Sequence, residues 1–192
     1  PTIWRRSRWA GSSGFVCWGC SSVGSRSREA VSRDRERVRF AARARRKRFR
    51  AAYRDSERKY GAVWYVAGGR SYMARLFRDA GADYLWADDP SAGSIPLSFE
   101  EVFEKGGAAD YWLIKYNSAE PLTYDGLRRD YEPYRRFAAF ENGRVYACHL
   151  GQSSYFEETP IHPDRLLRDL IGVFHPELLP GYELRYFKPL EP

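Results

Sequence analysis

The sequence contains one pair of cysteines whose spacing could support redox or metal chemistry. Cys17 and Cys20 are separated by two residues, as in thiol redox pairs and in half of a zinc site. A redox pair would follow a strand and open a helix, but Gly, Ser and Arg residues flank these cysteines. A zinc site would need two further ligands, and the candidates Cys148 and His149 are adjacent and would chelate poorly together. The pattern therefore favours incidental thiols and predicts no metal site.

Residue patterns typical of enzymes are also missing from the sequence. It has no Walker A loop, no H-E-x-x-H motif and no Ser-His-Asp order. The three histidines are scattered along the chain: His149, His162 and His175. The acidic pairs Asp88-Asp89 and Glu157-Glu158 could do acid–base work, but the side chains of neighbouring residues point apart in an extended chain. We therefore predict no catalytic residues and no resident cofactor, and an enzyme is the weaker alternative.

An arginine at a predicted helix start is a stronger candidate for ligand binding. Gly68-Gly69 ends an apolar strand, and a helix starting at Ser71 would leave backbone N–H groups facing the space beyond that strand. The Arg70 guanidinium beside these amides would form an anion site for a carboxylate or a phosphate. The alternative is an ion pair between Arg70 and Asp88 or Asp89 that only fixes a loop.

Aromatic residues surround the same turn. Trp64 and Trp86 occupy predicted strand positions, where aromatic side chains usually pack in the core. Tyr65 and Tyr72 lie beside the turn and are therefore the better candidates for a ligand cleft.

Predicted strands and helices alternate along residues 61–192, as an α/β sheet with crossover helices requires. Strands are predicted at 63–66, 84–86 and 110–114, and helices near 70–80, 98–105 and 163–174. Ser98 and Glu101 form a capping-box pattern, and the stretch 88–96 has a loop composition. These elements predict a three-layer α/β sandwich with a central, mostly parallel sheet.

Four segments together resemble a known family. They are WYVAGGRSYMARLFRDAGADYLWADD, GSIPLSFEEVFEKGGAADYWLI, RFAAFENGRVYA and SSYFEETPIHPDRLLRDLIGVFHPELLPG. In this order they are similar to the C-terminal lobe of a periplasmic substrate-binding protein. The class is the helix-linked one that serves ABC importers of iron-siderophores, haem and cobalamin, particularly its Bacteroidetes-type members. The resemblance covers residues 61 to 188.

The resemblance implies one lobe of a two-lobe binding protein whose ligand is an iron chelate, haem or a corrinoid. The expected ligand-binding residues are Tyr65, Arg70, Ser71, Tyr72, Ser94, Ile95 and Tyr155. It also implies an ABC permease as partner and a monomer in the periplasm or on the outer face of the inner membrane. The export signal or lipoprotein anchor is expected upstream of this chain.

A docking residue is also implied by the resemblance. Binding proteins of this class meet permease arginines through one exposed acid per lobe, in the first turn of the helix after the cleft loop. In the matching LSFEEVF segment, Glu101 belongs to the capping box and Glu100 remains exposed. We therefore expect Glu100 to dock on the permease, although acids are also common in first turns because of the helix dipole alone.

The first sixty residues differ sharply from the rest. They contain 16 arginines and 2 lysines against 5 acidic residues, whereas the remaining chain has 14 basic and 20 acidic residues. Residues 29–59 could form a helix, but they lack a broad apolar stripe. The basic run 43–50 suggests nucleic-acid affinity, yet no helix-turn-helix or RNP motif accompanies it, so nucleic acid is disfavoured as a partner.

We expect residues 1–60 to be an atypical basic segment, poorly structured or helical, that precedes a lobe spanning residues 61–192. Their Arg-, Ala-, Gly- and Ser-rich composition is typical of a GC-rich gene translated out of frame. No run of 18 apolar residues occurs, so the sequence predicts no transmembrane segment.

Overall fold

The computed structural model describes residues 32–33, 36, 49–55 and 63–191. Within this part of the chain the strands are β1 (Phe49–Asp55), β2 (Val63–Ala67), β3 (Ala82–Tyr84), β4 (Ser94–Ser98), β5 (Tyr111–Tyr116), β6 (Val145–His149) and β7 (Lys188–Pro189). The α-helices are α1 (Tyr72–Asp79), α2 (Phe99–Gly106), α3 (Tyr124–Asp130), α4 (Ala138–Glu141), α5 (Tyr155–Glu158) and α6 (Pro163–Phe174). Two 3-10 helices lie at Glu132–Arg136 and Pro176–Leu178.

The main sheet has the strand order β3-β1-β5-β6-β7. The first four of these strands are parallel to one another, and β7 joins the edge in the antiparallel direction. Strands β2 and β4 form a separate antiparallel ribbon. The predicted mostly parallel sheet is therefore confirmed.

Strand β5 shows why the fold has three layers. Its first five residues are all buried, as expected for a parallel strand that is covered on both faces. On one face Tyr111 packs edge-on against Phe174 of α6, with ring centroids 5.3 Å apart. On the other face Trp112 stacks on Phe137, just before α4, at 5.1 Å. Helices thus cover both sides of the sheet, and the predicted α/β sandwich is confirmed.

An aromatic cluster attaches the β2–β4 ribbon to this sandwich. The ring of Trp64 on β2 stacks on Trp112 at 5.4 Å and on Phe137 at 5.7 Å. All three residues are almost completely buried, which confirms the core position predicted for Trp64. Trp86 is buried as well. Stacked rings bury large apolar areas, so this contact holds β2 against the main sheet.

The three predicted helices are present, with the caps that the sequence indicated. Ser71 caps α1, and Ser98 and Glu101 form a complete capping box at α2. Gly81 follows α1 with a φ of 78°, a backbone conformation that favours glycine. None of the helices that the structure describes is long and apolar enough to span a membrane.

The predicted helix over 29–59 is wrong for its last part. Residues 32, 33 and 36 are helical, but residues 49–55 form β1, between β3 and β5 in the main sheet. A strand in this position satisfies the backbone groups of both neighbours, so sheet pairing overrides the helix-forming composition. The sheet therefore begins upstream of the predicted boundary after residue 60. Cys17 and Cys20 lie outside the described residues.

The predicted loop 88–96 is also partly wrong. Residues from Ser94 onward form β4, which pairs with β2 so that Pro96 lies opposite Tyr65 and Ile95 opposite Val66. Proline has no N–H group to donate, but strands at the edge of a sheet tolerate it. The strand expected over 84–86 instead spans Ala82–Tyr84.

Candidate functional site

The turn between β2 and α1 is held by close backbone packing. A Cβ atom on Gly68 would lie 2.3 Å from the Ser91 carbonyl oxygen, and one on Gly69 would lie 2.3 Å from that of Ala87. The N–H of Gly68 donates to the Gly93 carbonyl at 2.8 Å. Within the described chain, neither Gly68 nor Gly69 is among the glycines with positive φ. These glycines are therefore needed for close approach rather than for a left-handed turn.

Arg70 stands exposed at the end of this turn. Its N–H donates to the Ser91 carbonyl at 3.0 Å, and the N–H of Ser71 donates to Gly68 at 3.0 Å. The N–H groups of Arg70 and Ser71 therefore already donate hydrogen bonds inside the turn and are not free for a ligand. No ion pair joins Arg70 to Asp88 or Asp89 among the described residues. The guanidinium itself remains the group that could bind an anion.

The next two residues have different roles. Ser71 is buried, and its hydroxyl accepts the N–H of Ala74 at 3.1 Å, so it caps α1. Tyr72 is 48% exposed, and its hydroxyl donates to the Thr159 carbonyl at 3.3 Å. Burial of the hydroxyl end, together with the nearby Asp164 carboxylate, raises the pKa of Tyr72 to about 12. Tyr72 thus presents a neutral ring at the surface.

Tyr155 does not have the exposed position that the sequence predicted, whereas its neighbour Phe156 is exposed. Tyr155 is only 4% exposed and donates its hydroxyl to the Met73 sulfur at 3.1 Å, so it is a core residue and not an open cleft residue. Phe156 is 57% exposed. The buried Lys115 lies beneath both rings, with its Nζ 5.1 Å from the Tyr155 centroid and 5.9 Å from that of Phe156. The exposed ring was missed because sequence spacing does not show which neighbour turns inward.

The start of α1 and helix α5 therefore form one surface. The hydrogen bonds from Tyr72 to Thr159 and from Tyr155 to Met73 join them. We call the exposed side chains Arg70, Tyr72 and Phe156 the aromatic–arginine surface. It offers two ring faces for stacking and one cation for an anionic group.

The predicted residues on the β2–β4 ribbon divide between its faces. Tyr65 and Ser94 are exposed, and Tyr65 pairs with Pro96 on the outer face. Ile95 is on the inner face and packs against the hydrophobic core, because successive strand residues alternate. Among the described ring contacts, none joins Tyr65 to Tyr72 or Phe156. The ribbon and the aromatic–arginine surface are thus not in direct contact through these rings.

Glu158 holds the single-turn helix α5 in place, which the sequence did not reveal. Its carboxylate accepts from Arg185 and, at 3.1 Å, from Arg165 of α6. The Tyr186 hydroxyl donates to it at 2.7 Å. The bond from Arg185, the bond from Tyr186 and then that from Arg165 lower the pKa of Glu158 to about 2. This carboxylate ties the segment carrying Phe156 to α6 and to the C-terminal chain.

Asp169 of α6 holds the C-terminal chain in turn. It is fully buried and accepts the backbone N–H groups of Arg185, Tyr186 and Phe187 at 2.5, 3.0 and 2.7 Å. Burial raises the pKa of Asp169, and these donors oppose that rise. No local motif indicates such a contact, since the donors lie 16 to 18 residues away along the chain.

Cys148 and His149, which the sequence disfavoured as zinc ligands, are engaged in other ways. Burial raises the pKa of the Cys148 thiol to about 11, so the thiolate needed for metal binding is scarce. The Nδ1 of His149 accepts the N–H groups of Gly151 and Gln152 at 3.1 and 3.2 Å, and its Nε2 lies 2.8 Å from the Ser118 carbonyl. Within the described chain, no group of three or more potential metal ligands is clustered.

Glu100 has the local geometry expected from the sequence. It is exposed in the first turn of α2. Glu101 accepts the Ser98 N–H at 2.7 Å, and the bonds from Ser98 lower the pKa of Glu101. The capping box therefore occupies Glu101 and leaves Glu100 available at the surface.

Comparison with known sequences identifies similar proteins. The profile of a family described as periplasmic binding protein matches residues 34–150 of the chain. An uncharacterized lipoprotein of Methanocaldococcus jannaschii is 28% identical over 131 residues, which cover 67% of this chain and 30% of that protein. The match to the family includes β1 and therefore extends upstream of residue 61.

Solved structures share the fold. The TroA-like periplasmic binding protein FepB from Veillonella parvula aligns with a TM-score of 0.64 at 18% identity, covering 90% of this chain and 53% of that one. A protein of an ABC-type Fe3+-hydroxamate transport system from Saccharomonospora viridis aligns at 0.55 and 20% identity, covering 79% and 50%. The periplasmic heme-binding protein RhuT from Roseiflexus sp. RS-1 aligns at 0.56 and 18% identity, covering 81% and 56%. The chain thus spans about half the length of these structures.

Proposed function

The chain belongs to the periplasmic binding protein family, and on this premise we propose that it forms one lobe of the substrate-binding component of an ABC importer. Members of this family bind solutes and are not enzymes, which confirms that expectation from the sequence. The family is periplasmic, and the similar archaeal protein is a lipoprotein. We propose on this basis that the protein acts in the periplasm or on the outer face of the inner membrane.

The aromatic–arginine surface is the observation that supports a ligand. Tyr72 and Phe156 are 48% and 57% exposed, and exposed apolar side chains that share one surface mark a candidate binding site, whereas single ones do not. Flat conjugated groups of a chelate stack on such rings, and Arg70 pairs with a carboxylate or phosphate. The ligand that we propose is a metal chelate: an iron-siderophore, haem or a cobalamin-type corrinoid. Two of the similar structures come from Fe3+-hydroxamate and heme-binding proteins.

A chemical-shift titration of the full chain tests this proposal and detects even millimolar binding. The probes are the diamagnetic gallium(III) complexes of a trihydroxamate, a tricatecholate and protoporphyrin IX, the last standing in for haem, together with cobalamin. We expect one of them to shift the signals of Arg70, Tyr72 and Phe156. Because a charge-assisted bond is lost, Arg70→Ala weakens binding of an anionic chelate by about ten- to hundredfold.

Arg78 provides the matched control for this experiment. It is exposed in the last turn of α1, the helix that follows Arg70, so Arg78→Ala removes one positive charge nearby and leaves the aromatic–arginine surface intact. The proposal fails if no probe gives a saturable change at the three residues, or if Arg70→Ala and Arg78→Ala weaken binding equally.

We further propose that Glu100 docks on the permease of the importer. Its exposed carboxylate is held in the first turn of α2, where the helix dipole favours negative charge and the capping box fixes the backbone.

Uptake of radiolabelled ligand by cells carrying the intact protein tests docking at Glu100. Glu100→Lys should reduce uptake without changing ligand affinity. The control is Glu104→Lys, an exposed charge reversal one turn later; equal losses from both variants contradict docking at Glu100.

A further inference from the structure

A cavity lies apart from the aromatic–arginine surface. It has a volume of about 290 Å³ and lies between the carboxyl ends of β5 and β6, the loop 117–123 and the C-terminal chain. Its lining includes Tyr116, Leu122, His149, Gln152, Lys188 and Pro189. In α/β sheets the carboxyl ends of the strands are where ligands usually bind. The cavity thus has both the position and the mixed lining of a small-molecule site.

Hydrogen bonds fix one wall of this cavity before any ligand arrives. The His149 Nδ1 accepts two backbone N–H groups, so the ring proton is on Nε2 and is donated to the Ser118 carbonyl at 2.8 Å. The Tyr116 ring packs edge-on against His149, with centroids 4.8 Å apart. A wall held in this way does not need to be ordered when a ligand binds.

The charges at the cavity favour a single negative charge on the ligand. The Arg185 guanidinium lines it but is already bonded to Glu158. Lys188 is exposed, and within the described part of the chain it has no ion-pair partner. Glu191 is the opposing charge at the lining, and it disfavours a ligand that carries several negative charges.

The size and the apolar lining limit the ligand further. Since one water occupies about 30 Å³ in the liquid, the cavity holds on the order of ten heavy atoms. Leu122 and Pro189 offer apolar contacts, whereas Tyr116 and Gln152 offer hydrogen-bond donors. A compact ring or short chain with one carboxylate fits this combination.

From these observations we propose that the cavity is a second binding site, for a small monocarboxylate with a compact apolar body. Lys188 binds its carboxylate, and Leu122 and Pro189 contact the body. The site is separate from the aromatic–arginine surface, because none of Arg70, Tyr72 and Phe156 is among the residues that line the cavity.

Chemical-shift titration of the full chain with benzoate tests the proposal. Benzoate should give saturable shifts at Tyr116 and Gln152, and Lys188→Gln should weaken its binding by about tenfold or more, as expected for the loss of a charge-assisted bond. Lys105→Gln is the matched control, because Lys105 is also exposed but lies on α2. It should leave benzoate binding unchanged.

Two further probes separate the parts of the proposal. Benzamide has the same shape without the charge and should bind at least about tenfold more weakly than benzoate. Inorganic phosphate has charge without an apolar body and should not compete with benzoate. Equal binding of benzamide, no effect of Lys188→Gln, or competition by phosphate overturns the proposal. Shifts centred on Arg70 and Tyr72 would likewise contradict a separate site.

Discussion

The two sides of the aromatic–arginine surface are held by different forces. On the α1 side, the backbone carbonyls of Ser91 and Ala87 pack directly on Gly68 and Gly69. On the α5 side, the Glu158 carboxylate bonds to Arg165, Arg185 and Tyr186. One side therefore depends on the absence of side-chain volume, and the other depends on charge.

This difference follows from the lengths of the two elements. Helix α1 has eight residues, a side-chain cap and an apolar face that contains the fully buried Phe77. Helix α5 has four residues and no side-chain cap, so it cannot be stable by itself. The α1 side needs only a close fit at its start, whereas the α5 side needs tertiary bonds. Added volume should therefore disturb the first side, and acid or charge removal should disturb the second.

The largest effect is expected from Asp169, the buried carboxylate that holds the C-terminal chain on the α5 side. Asp169→Ala leaves the N–H groups of Arg185, Tyr186 and Phe187 without their acceptor. We expect the free energy of unfolding to fall by about 3 to 5 kcal/mol, measured by urea denaturation. The C-terminal chain, and with it Arg185, should separate from α6.

Asp169→Asn is the matched control, because the amide keeps one acceptor oxygen and nearly the same volume. It should destabilise the protein less than Asp169→Ala does. A loss below about 1 kcal/mol for Asp169→Ala would mean that the carboxylate does not support the C-terminal chain.

Added volume on the α1 side should have the next largest effect. In Gly69→Ala, the new Cβ would lie 2.3 Å from the Ala87 oxygen and 2.6 Å from the Asp89 oxygen, so the loop must move. Such overpacking costs about 1 to 3 kcal/mol. In contrast, a Cβ on Gly93 meets nothing within 4 Å, and Gly93→Ala should be neutral or slightly stabilising. Similar denaturation midpoints for the two variants would refute the close-packing account.

The two sides also differ in how far the sequence could predict them. The pattern of Ser98 and Glu101 indicated the α2 start, because the capping box is a local interaction. Apolar spacing likewise indicated α6 and the buried β5. The Gly68-Gly69 pair was predicted as a turn, but the reason for it lies in the carbonyls of residues 87–91, which the spacing of residues does not reveal.

The α5 side depends on hydrogen bonds between residues that are far apart in the sequence, and no local sequence pattern indicates such bonds. Glu158 and Arg185 are 27 residues apart, and Tyr155 and Met73 are 82 residues apart. Tyr155 was predicted to line the cleft because its position resembled a cleft segment, but α5 turns it inward and Phe156 outward. Strand β1 was missed because sheet pairing, and not its Arg-rich composition, decides its structure.

Acid should weaken the α5 side before it affects the α1 side. The folded-state pKa of Glu158 is about 2, below its usual 4.5, so the ionised carboxylate stabilises the fold above about pH 4.5. This stabilisation is lost as the pH falls from about 4.5 to about 2. Because Arg165 and Arg185 are 42% and 50% exposed, solvent screening limits the contribution to about 1 kcal/mol.

Glu158→Gln isolates this contribution. Above pH 5 the variant should be less stable than the parent protein by about that amount, and the difference should vanish on acidification toward pH 2. Gly69→Ala should show no such convergence. A stability difference between parent and Glu158→Gln that stays constant over this range would show that the carboxylate is not the group that acid affects.

The smallest effect tests whether the two sides act independently. The bond from the Tyr72 hydroxyl to the Thr159 carbonyl is a direct link between them, and at 3.3 Å it is long. Tyr72→Phe removes only this bond and should lower the free energy of unfolding by about 0.5 to 1 kcal/mol.

If the α1 and α5 sides are otherwise independent, the losses of unfolding free energy in Gly69→Ala and Glu158→Gln should add to within about 0.5 kcal/mol in the double variant. A larger deviation that disappears when Tyr72→Phe is also present would show that this single hydroxyl transmits strain from the close-packed side to the charged one.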